Sequence, residues 1–184
     1  MAKPFEPVNL GTDRLILRVM DEGDIDALFA MCSQPEVMRY TPRPAMKARA
    51  EAEQMIARVM AGYADGTTFQ LGIVRKEDRL LIGHCLLFNF HQESRRAEIG
   101  YAMNQRFWGQ GFMNEALRAF IGHAFDALGL NRLEADIDPR NVASARSLAR
   151  LGFTREGLLR SRWIVAGEVS DTGMYGLLQG DWKT

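Results

Sequence analysis

Hydrophobic and polar residues alternate with two different periods along the chain, and the two periods separate strand-like from helix-like segments. Residues 14–19 follow the two-residue period of a half-buried strand, and residues 69–74 and 80–90 are predicted to be strands joined by a charged turn. Residues 47–62 place apolar side chains at helical spacing, and a second long helix-like run covers residues 113–128. The chain therefore mixes strands and helices throughout.

Shorter segments complete the predicted order. An acidic turn at Asp21–Asp24 precedes a helix-like segment, and three prolines then predict a loop. The other predicted elements are a helix at 25–31, a turn at 36–40, strands at 97–103 and 133–137, a helix at 141–150, and strands at 155–164 and 169–178 around Ala166-Gly167. The resulting order, β-αα-βββ-α-β-α-ββ, predicts one α/β domain over residues 1–184, with helices on both faces of a mixed sheet.

Composition and charge exclude several classes of protein. The 184 residues carry 23 basic and 23 acidic side chains, and this zero net charge argues against a nucleic-acid surface. No apolar run approaches a membrane span, and the first residues lack an apolar signal region. Cys32 and Cys85 predict neither a disulfide framework nor a metal site, so we expect a cytoplasmic protein without a metal.

A glycine motif between a strand and a helix is the first sign of chemistry. Arg106-x-x-Gly109-x-Gly111 follows the strand at 97–103 and opens the long helix. Glycines allow positive φ and close backbone approach, and the helix start adds free N–H groups, so the motif predicts a phosphate cradle. Neither the dinucleotide nor the P-loop spacing is present. Taken alone, the two glycines fit an ordinary turn equally well.

A second motif follows thirty residues later. In Asn141-Val-Ala-Ser144, Asn141 is placed to cap a helix that stops at Gly152-Phe153. Together the two motifs resemble those of the GNAT acetyltransferase superfamily. The RimJ/RimL-like branch is indicated by four further segments: Thr12–Arg18, Glu98–Tyr101, Asn114–Ala116, and Asp171 with Met174–Leu178. The resemblance runs from about residue 10 to the C-terminus and implies a mostly antiparallel sheet of about seven strands.

The resemblance also implies a cofactor and a reaction. The cofactor is acetyl-coenzyme A, and its acetyl group passes directly to a primary amine. The pantetheine arm is expected on the backbone of Tyr101, Ala102 and Met103, in a gap between two splayed strands. Asn141 and Ser144 are expected near the arm. The pyrophosphate is expected on Arg106, Phe107, Trp108, Gly109, Gln110, Gly111, Phe112, Met113 and Asn114.

Catalysis needs a base for the amine and a donor for the leaving thiolate. Glu98 is the first candidate base. Asp136, with Glu134 and Asp138 at the same parity, is the second, and Glu168 or Asp171 the third; each fits a solvated or structural role as well. Many superfamily members have a tyrosine where this chain has Leu148. The branch implies Ser144 as the substitute donor, although Ser144 also fits a helix start.

The acceptor is the least defined part. Residues proposed to line its pocket are Met38, Tyr40, Thr41, Phe88, Phe90, His91, Glu168 and Asp171, although aromatic residues and Met are more often core. The acceptor is either the α-amine of a protein N-terminus or a small amine such as a polyamine, amino acid or drug. A non-catalytic coenzyme A-binding module, a longer acyl donor and a homodimer all stay open.

Overall fold

The computed structural model describes residues 4–165 and 167–183. In these residues eight strands form one sheet: β1 (Asn9–Gly11), β2 (Leu15–Arg18), β3 (Phe69–Arg75), β4 (Leu81–His91), β5 (Arg96–Met103), β6 (Arg132–Ile137), β7 (Thr154–Val165) and β8 (Glu168–Leu178). The helices are α1 (Ile25–Cys32), α2 (Pro35–Met38), α3 (Arg49–Asp65), α4 (Phe112–Asp126) and α5 (Val142–Arg150), with short 3₁₀ turns at Glu22–Asp24, Gln105–Phe107 and Gln179–Asp181.

The strand order across the sheet is β1-β2-β3-β4-β5-β6-β8-β7. Neighbouring strands are antiparallel except for β5 and β6, which run parallel because α4 crosses between them. This parallel pairing is short: it joins Arg96–Glu98 to Arg132–Glu134 and then stops. Beyond Glu98, β5 continues to Met103 with no strand on that edge, while β6 continues along β8. A gap therefore opens between β5 and β6.

Helices cover both faces of the sheet. On one face α1 packs against α3 and β4. On the other, Phe69 of β3 stacks on Phe120 and His123 of α4, with ring centroids 5.8 Å and 5.3 Å away. Helix α5 lies on this second face too, where Ser144 contacts Tyr101. We refer to them as the α1/α3 face and the α4/α5 face.

The predicted fold class is confirmed, and the differences are local. The structure has eight strands rather than seven, because Asn9–Gly11 pairs with the strand after it. Helix α3 starts and ends later than the periodicity predicted: Glu51 reaches back to the N–H groups of Lys47 and Ala48, and Gly66 ends the helix with φ of +70°. The predicted loop after α1 contains one helical turn, α2.

The hairpin of β7 and β8 forms the exposed edge of the sheet. Side chains along β7 are exposed over nearly its whole length. The register shifts between Leu159 and Trp163, and Ser161 takes a φ of +50° at this bulge. The bulge bends the hairpin so that the Trp163 indole reaches Asp136 on β6. Ala166 of the predicted turn lies outside the described residues.

Candidate functional site

The loop between β5 and α4 ends in free backbone donors. Gly109 and Gly111 have φ of +74° and +81°, and the left-handed Gly111 is the N-cap of α4. The N–H groups of residues 111–114 make no hydrogen bond within the part of the chain that the structure describes. Four free N–H groups at the positive end of a 15-residue helix make a built anion site, and a pyrophosphate fits it.

Aromatic side chains and an ion pair anchor this loop. Phe107 and Phe112 are buried and meet edge to face at 6.3 Å, so they serve the loop through packing. Arg14 lies over the Phe112 ring, donates to the Gln110 carbonyl at 3.1 Å and pairs with Glu115 at 2.6 Å. This explains why the N-terminal segment and the start of α4 both carry family signatures.

The remaining loop side chains hold the loop's own shape. The Arg106 N–H donates to the Asn104 side chain, and the Gln110 amide donates to the Arg106 carbonyl at 3.0 Å. Trp108 is 47% exposed, and its indole donates to the Met103 carbonyl at 2.7 Å. Met113 and Asn114 enter the cradle through their N–H groups. The amide nitrogen of the Asn114 side chain is buried without a partner.

Strand geometry decides which backbone groups face the gap. Ala102 pairs with His84, and the Asn104 N–H donates to the Ile82 carbonyl. Backbone groups alternate sides along a strand, so those of Ala102 point to β4, whereas those of Tyr101 and Met103 point into the gap. The expectation for Ala102 therefore needs correction: its backbone is used by the ladder with β4.

Tyr101 also contributes a hydroxyl that the sequence reasoning missed. Its hydroxyl lies 2.8 Å from the Ser144 hydroxyl, and Ser144 is 8% exposed. Burial raises the pKa of Tyr101 to about 12, although the Ser144 bond opposes this. The Asn141 side chain accepts from the Ser144 N–H at 3.1 Å, so Asn141 does cap α5. Tyr101 lies on the same side of its strand as the buried Ala97 and Ile99, because alternate residues of a strand point the same way. This alternation could have indicated from the sequence where Tyr101 points.

The candidate bases differ in their partners. Glu98 lies on the α1/α3 face and accepts one hydrogen bond, from the Asn89 amide at 3.0 Å. Asp136 accepts from the Thr172 hydroxyl at 2.5 Å and from the Trp163 indole at 3.2 Å, with the Arg162 guanidinium 3.9 Å away. Asp136 therefore has three neighbouring donors, whereas Glu98 has one.

The other carboxylates are held in ion pairs or by backbone. Glu134 pairs with Arg96 and Arg132. Asp138 and Glu168 both pair with Arg140, and the Arg140 bonds lower the pKa of Asp138. Asp171 accepts from the Ser161 N–H at 2.8 Å, which fixes the bulge in β7. These side chains have structural partners. Within the described residues Glu98 and Asp171 have no cationic partner, and Asp171 is used by the bulge.

The proposed acceptor residues do not form one pocket wall. Phe88 lies beside Gly100 on the α1/α3 face. Phe90 lies past the bulge at Asn89 and packs on Phe5 at 5.1 Å, next to Phe69 on the other face, so Phe90 is removed from this group. His91 is exposed and accepts from the Ser94 N–H.

The loop after α1 keeps the remaining candidates near the surface. Met38 and Tyr40 are half-buried, with the Arg39 guanidinium over the Tyr40 ring, and the Thr41 hydroxyl donates to the Met38 carbonyl at 2.9 Å. Within residues 4–165 and 167–183, His, Cys, Asp and Glu side chains form no group able to hold a metal ion. No helix in those residues has the length and apolar character to cross a membrane.

A gap beside a helix-capped anion site, in a sheet with one short parallel pairing, could hold a ligand that joins a pyrophosphate to an extended arm. The model of the family described as acetyltransferase (GNAT) domain matches residues 14–154, and the chain belongs to this family. The resemblance to its RimJ/RimL-like branch is confirmed.

Relatives of the chain are N-acetyltransferases by name. The uncharacterized N-acetyltransferase p20 of Bacillus licheniformis is 36% identical over 94% of this chain and 97% of its own length. The [ribosomal protein uS5]-alanine N-acetyltransferase of Escherichia coli is 27% identical over 95% of this chain and 93% of its own. RimJ of Mycobacterium smegmatis, solved in complex with CoA-disulfide, shares the fold at a TM-score of 0.85, with 24% identity, covering 97% of this chain and 88% of RimJ.

Proposed function

We propose that this N-acetyltransferase moves an acetyl group from acetyl-coenzyme A directly to a primary amine. The observation that carries the proposal is the joined pair of features at the end of β5. The free N–H groups of residues 111–114 suit a pyrophosphate, and the gap-facing backbone of Tyr101 and the N–H of Met103 suit the amide-bearing arm of the same molecule. Nucleotides such as ATP or NAD have no such arm.

Different residues around the gap take part in the proton transfer from the amine and in the proton transfer to the leaving sulfur. Bound acetyl-coenzyme A supplies a thioester as the acyl donor. A gap-facing N–H of Tyr101 or Met103 is placed to stabilise charge on an acyl oxygen. The Tyr101 and Ser144 hydroxyls share one hydrogen between them, so a second hydrogen is free to donate to the leaving sulfur.

Glu98 is the proposed base. Its carboxylate has no cationic partner among the described residues and lies on the α1/α3 face, the face opposite α4 and α5. Glu98 is four residues from Ala102, roughly 13 Å along the strand. Since this distance exceeds a direct hydrogen bond, the amine proton reaches Glu98 through water.

Binding and turnover test the proposal in sequence. Thermal unfolding is followed with acetyl-coenzyme A, coenzyme A, ATP and NAD at equal concentrations. Both coenzyme A ligands should raise the unfolding temperature by several degrees, because a ligand at about 100 times its dissociation constant adds roughly 2.7 kcal/mol. Thiol release with a panel of amines then separates an enzyme from a coenzyme A-binding module, and succinyl-coenzyme A tests the acyl donor.

The Glu98→Gln variant tests the base. We expect kcat/KM for the amine to fall by roughly 100-fold while affinity for acetyl-coenzyme A stays the same. Glu93→Gln, at an exposed site in the turn between β4 and β5, removes the same charge and should be neutral. Wild-type turnover in Glu98→Gln would refute the assignment, and no stabilisation by either coenzyme A ligand would refute the proposed function.

A further inference from the structure

One buried side chain on the α1/α3 face has no role in the proposed chemistry. His84 is 8% exposed and pairs with Ala102 in the ladder between β4 and β5. Ala102 lies between Tyr101 and Met103, the residues whose backbone faces the gap. Because paired residues share a face, the His84 imidazole lies at the level of the gap and on the same face as Glu98.

His84 and Gln70 carry two buried nitrogen atoms without partners. His84 Nδ1 and Gln70 Nε2 are inaccessible and make no hydrogen bond within the described residues. Gly72 pairs with His84 and Leu86 pairs with Gln70, so the two side chains are diagonal neighbours, with Cα atoms roughly 7–8 Å apart. Burying two such groups unsatisfied is costly, and structures seldom retain them without a role.

The surroundings of Nδ1 decide the imidazole tautomer. A neutral imidazole carries its hydrogen on one nitrogen, and the neighbouring Gln70 amide nitrogen only donates, so Nδ1 is the nitrogen left as the acceptor. The ring hydrogen of His84 then sits on Nε2, which makes no hydrogen bond in the described residues and is not fully buried. Burial, with the positive charge of Arg43, lowers the pKa of His84 to about 4, so the ring is neutral near pH 7. Nε2–H is therefore a fixed donor.

We propose that His84 binds the acceptor by donating its Nε2–H to a carbonyl or carboxylate oxygen next to the reacting amine. The inference rests on the proposed function and deepens it. It favours amines that carry such an oxygen, as in amino acids and peptides, over polyamines, which offer no oxygen. The nearby Arg43 makes no ion pair in the described residues, and its charge also disfavours a polycation. Gln70 is the positioning residue, because its buried amide donor favours this tautomer.

The tautomer is testable by NMR of the imidazole ¹⁵N nuclei in the free protein. We expect His84 to be the Nε2–H tautomer from pH 6 to 8. His91 is an internal reference, because its Nδ1 accepts from Ser94. Gln70→Met should remove the tautomer preference at His84 and leave His91 unchanged. A protonated His84, or an Nδ1–H tautomer, overturns the proposal even if the enzyme acetylates amines.

A matched pair of amines tests the contact. L-Alaninamide places a carbonyl beside a primary amine, and isopropylamine has the branched amine without an oxygen. With coenzyme A present, L-alaninamide should shift the His84 Nε2–H resonance and isopropylamine should not. A shift with both, or with neither, overturns the proposal. If no amine is acetylated but the shift occurs, the proposed function fails while the binding site stands.

Kinetics separate binding from folding. We expect His84→Phe to raise KM for L-alaninamide about tenfold, the value of one neutral hydrogen bond, without changing KM for acetyl-coenzyme A. His84→Gln keeps a donor near the Nε2 position and should recover most of the loss. Equal KM values for L-alaninamide in the wild type and His84→Phe, or equal losses in both variants, would overturn the role of His84.

Discussion

The two sides of the gap between β5 and β6 are built from different parts of the chain. The cradle side consists of backbone N–H groups, held by the buried Phe107 and Phe112 and by the pair of Arg14 and Glu115. The other side, on the α1/α3 face, consists of side chains, among them those of Glu98 and His84. A site built from backbone N–H groups depends on residue types, such as glycine, that allow the required backbone conformation. A site built from side chains depends on the direction in which each side chain points.

Among the changes that test this comparison, substitution of Gly111 is expected to have the largest effect. Its φ of +81° strains any side chain, and a Cβ there would lie 3.4 Å from the Arg14 guanidinium. Gly111→Val should raise KM for acetyl-coenzyme A by roughly 100-fold, because about two charge-assisted hydrogen bonds are lost. Steady-state kinetics measure this.

Gly129→Val is the matched control. Gly129 also has a positive φ, of +67°, and no atom lies within 4 Å of a Cβ built there. This variant carries the same backbone strain outside the cradle, so it should lose stability and keep KM. If the two variants raise KM equally, strain alone explains the result and the cradle assignment is wrong.

This contrast explains what the sequence predicted. The conformation of the loop at Gly109 and Gly111 was predictable because a positive φ selects glycine, and so was the helix cap by Asn141. The directions of Phe90 and Ala102 were not, because they depend on the bulge at Asn89 and on which pairs in the ladder are hydrogen-bonded. Neither His84 nor the Tyr101 hydroxyl belongs to a sequence motif. The position of His84 depends on the register across three strands, and the position of the Tyr101 hydroxyl depends on a contact with a helix.

A smaller effect is expected at the Tyr101 hydroxyl, in the gap between the two sides. Tyr101→Phe removes one of the two hydroxyls near the expected position of the sulfur. We expect kcat to fall about tenfold, because thiolates are good leaving groups and need little help, with KM for acetyl-coenzyme A unchanged. Tyr175→Phe is the control, since the Tyr175 hydroxyl makes no hydrogen bond in the described residues.

The double variant with Ser144→Ala sharpens the result. If the two hydroxyls act as one hydrogen-bonded unit, the double variant should lose little more than the worse single variant. Independent losses that multiply would show that each hydroxyl contacts the sulfur separately. An unchanged kcat in Tyr101→Phe would remove Tyr101 from the reaction.

The smallest expected effect is on the stability of the folded protein, and it concerns the contacts that hold the cradle in place. Burial alone would raise the pKa of Glu115, but hydrogen bonds from Thr12 and Arg14 bring it below its ordinary value of 4.5. A carboxyl whose pKa is lowered on folding stabilises the protein above its unfolded pKa, and this contribution disappears as the pH falls through the folded pKa. Glu115→Gln should therefore lower the unfolding temperature by roughly 2 °C at pH 7.

The pH series distinguishes charge from packing. The difference between wild type and Glu115→Gln should shrink as the pH falls below about 4.5, since the wild-type carboxyl then becomes neutral as well. Glu93→Gln controls for net charge and should show little difference at either pH. A difference that persists unchanged at pH 3 would mean that Glu115 holds Thr12 and Arg14 by shape and hydrogen bonding alone. The cradle would then be held by packing and hydrogen bonding rather than by the charge of Glu115.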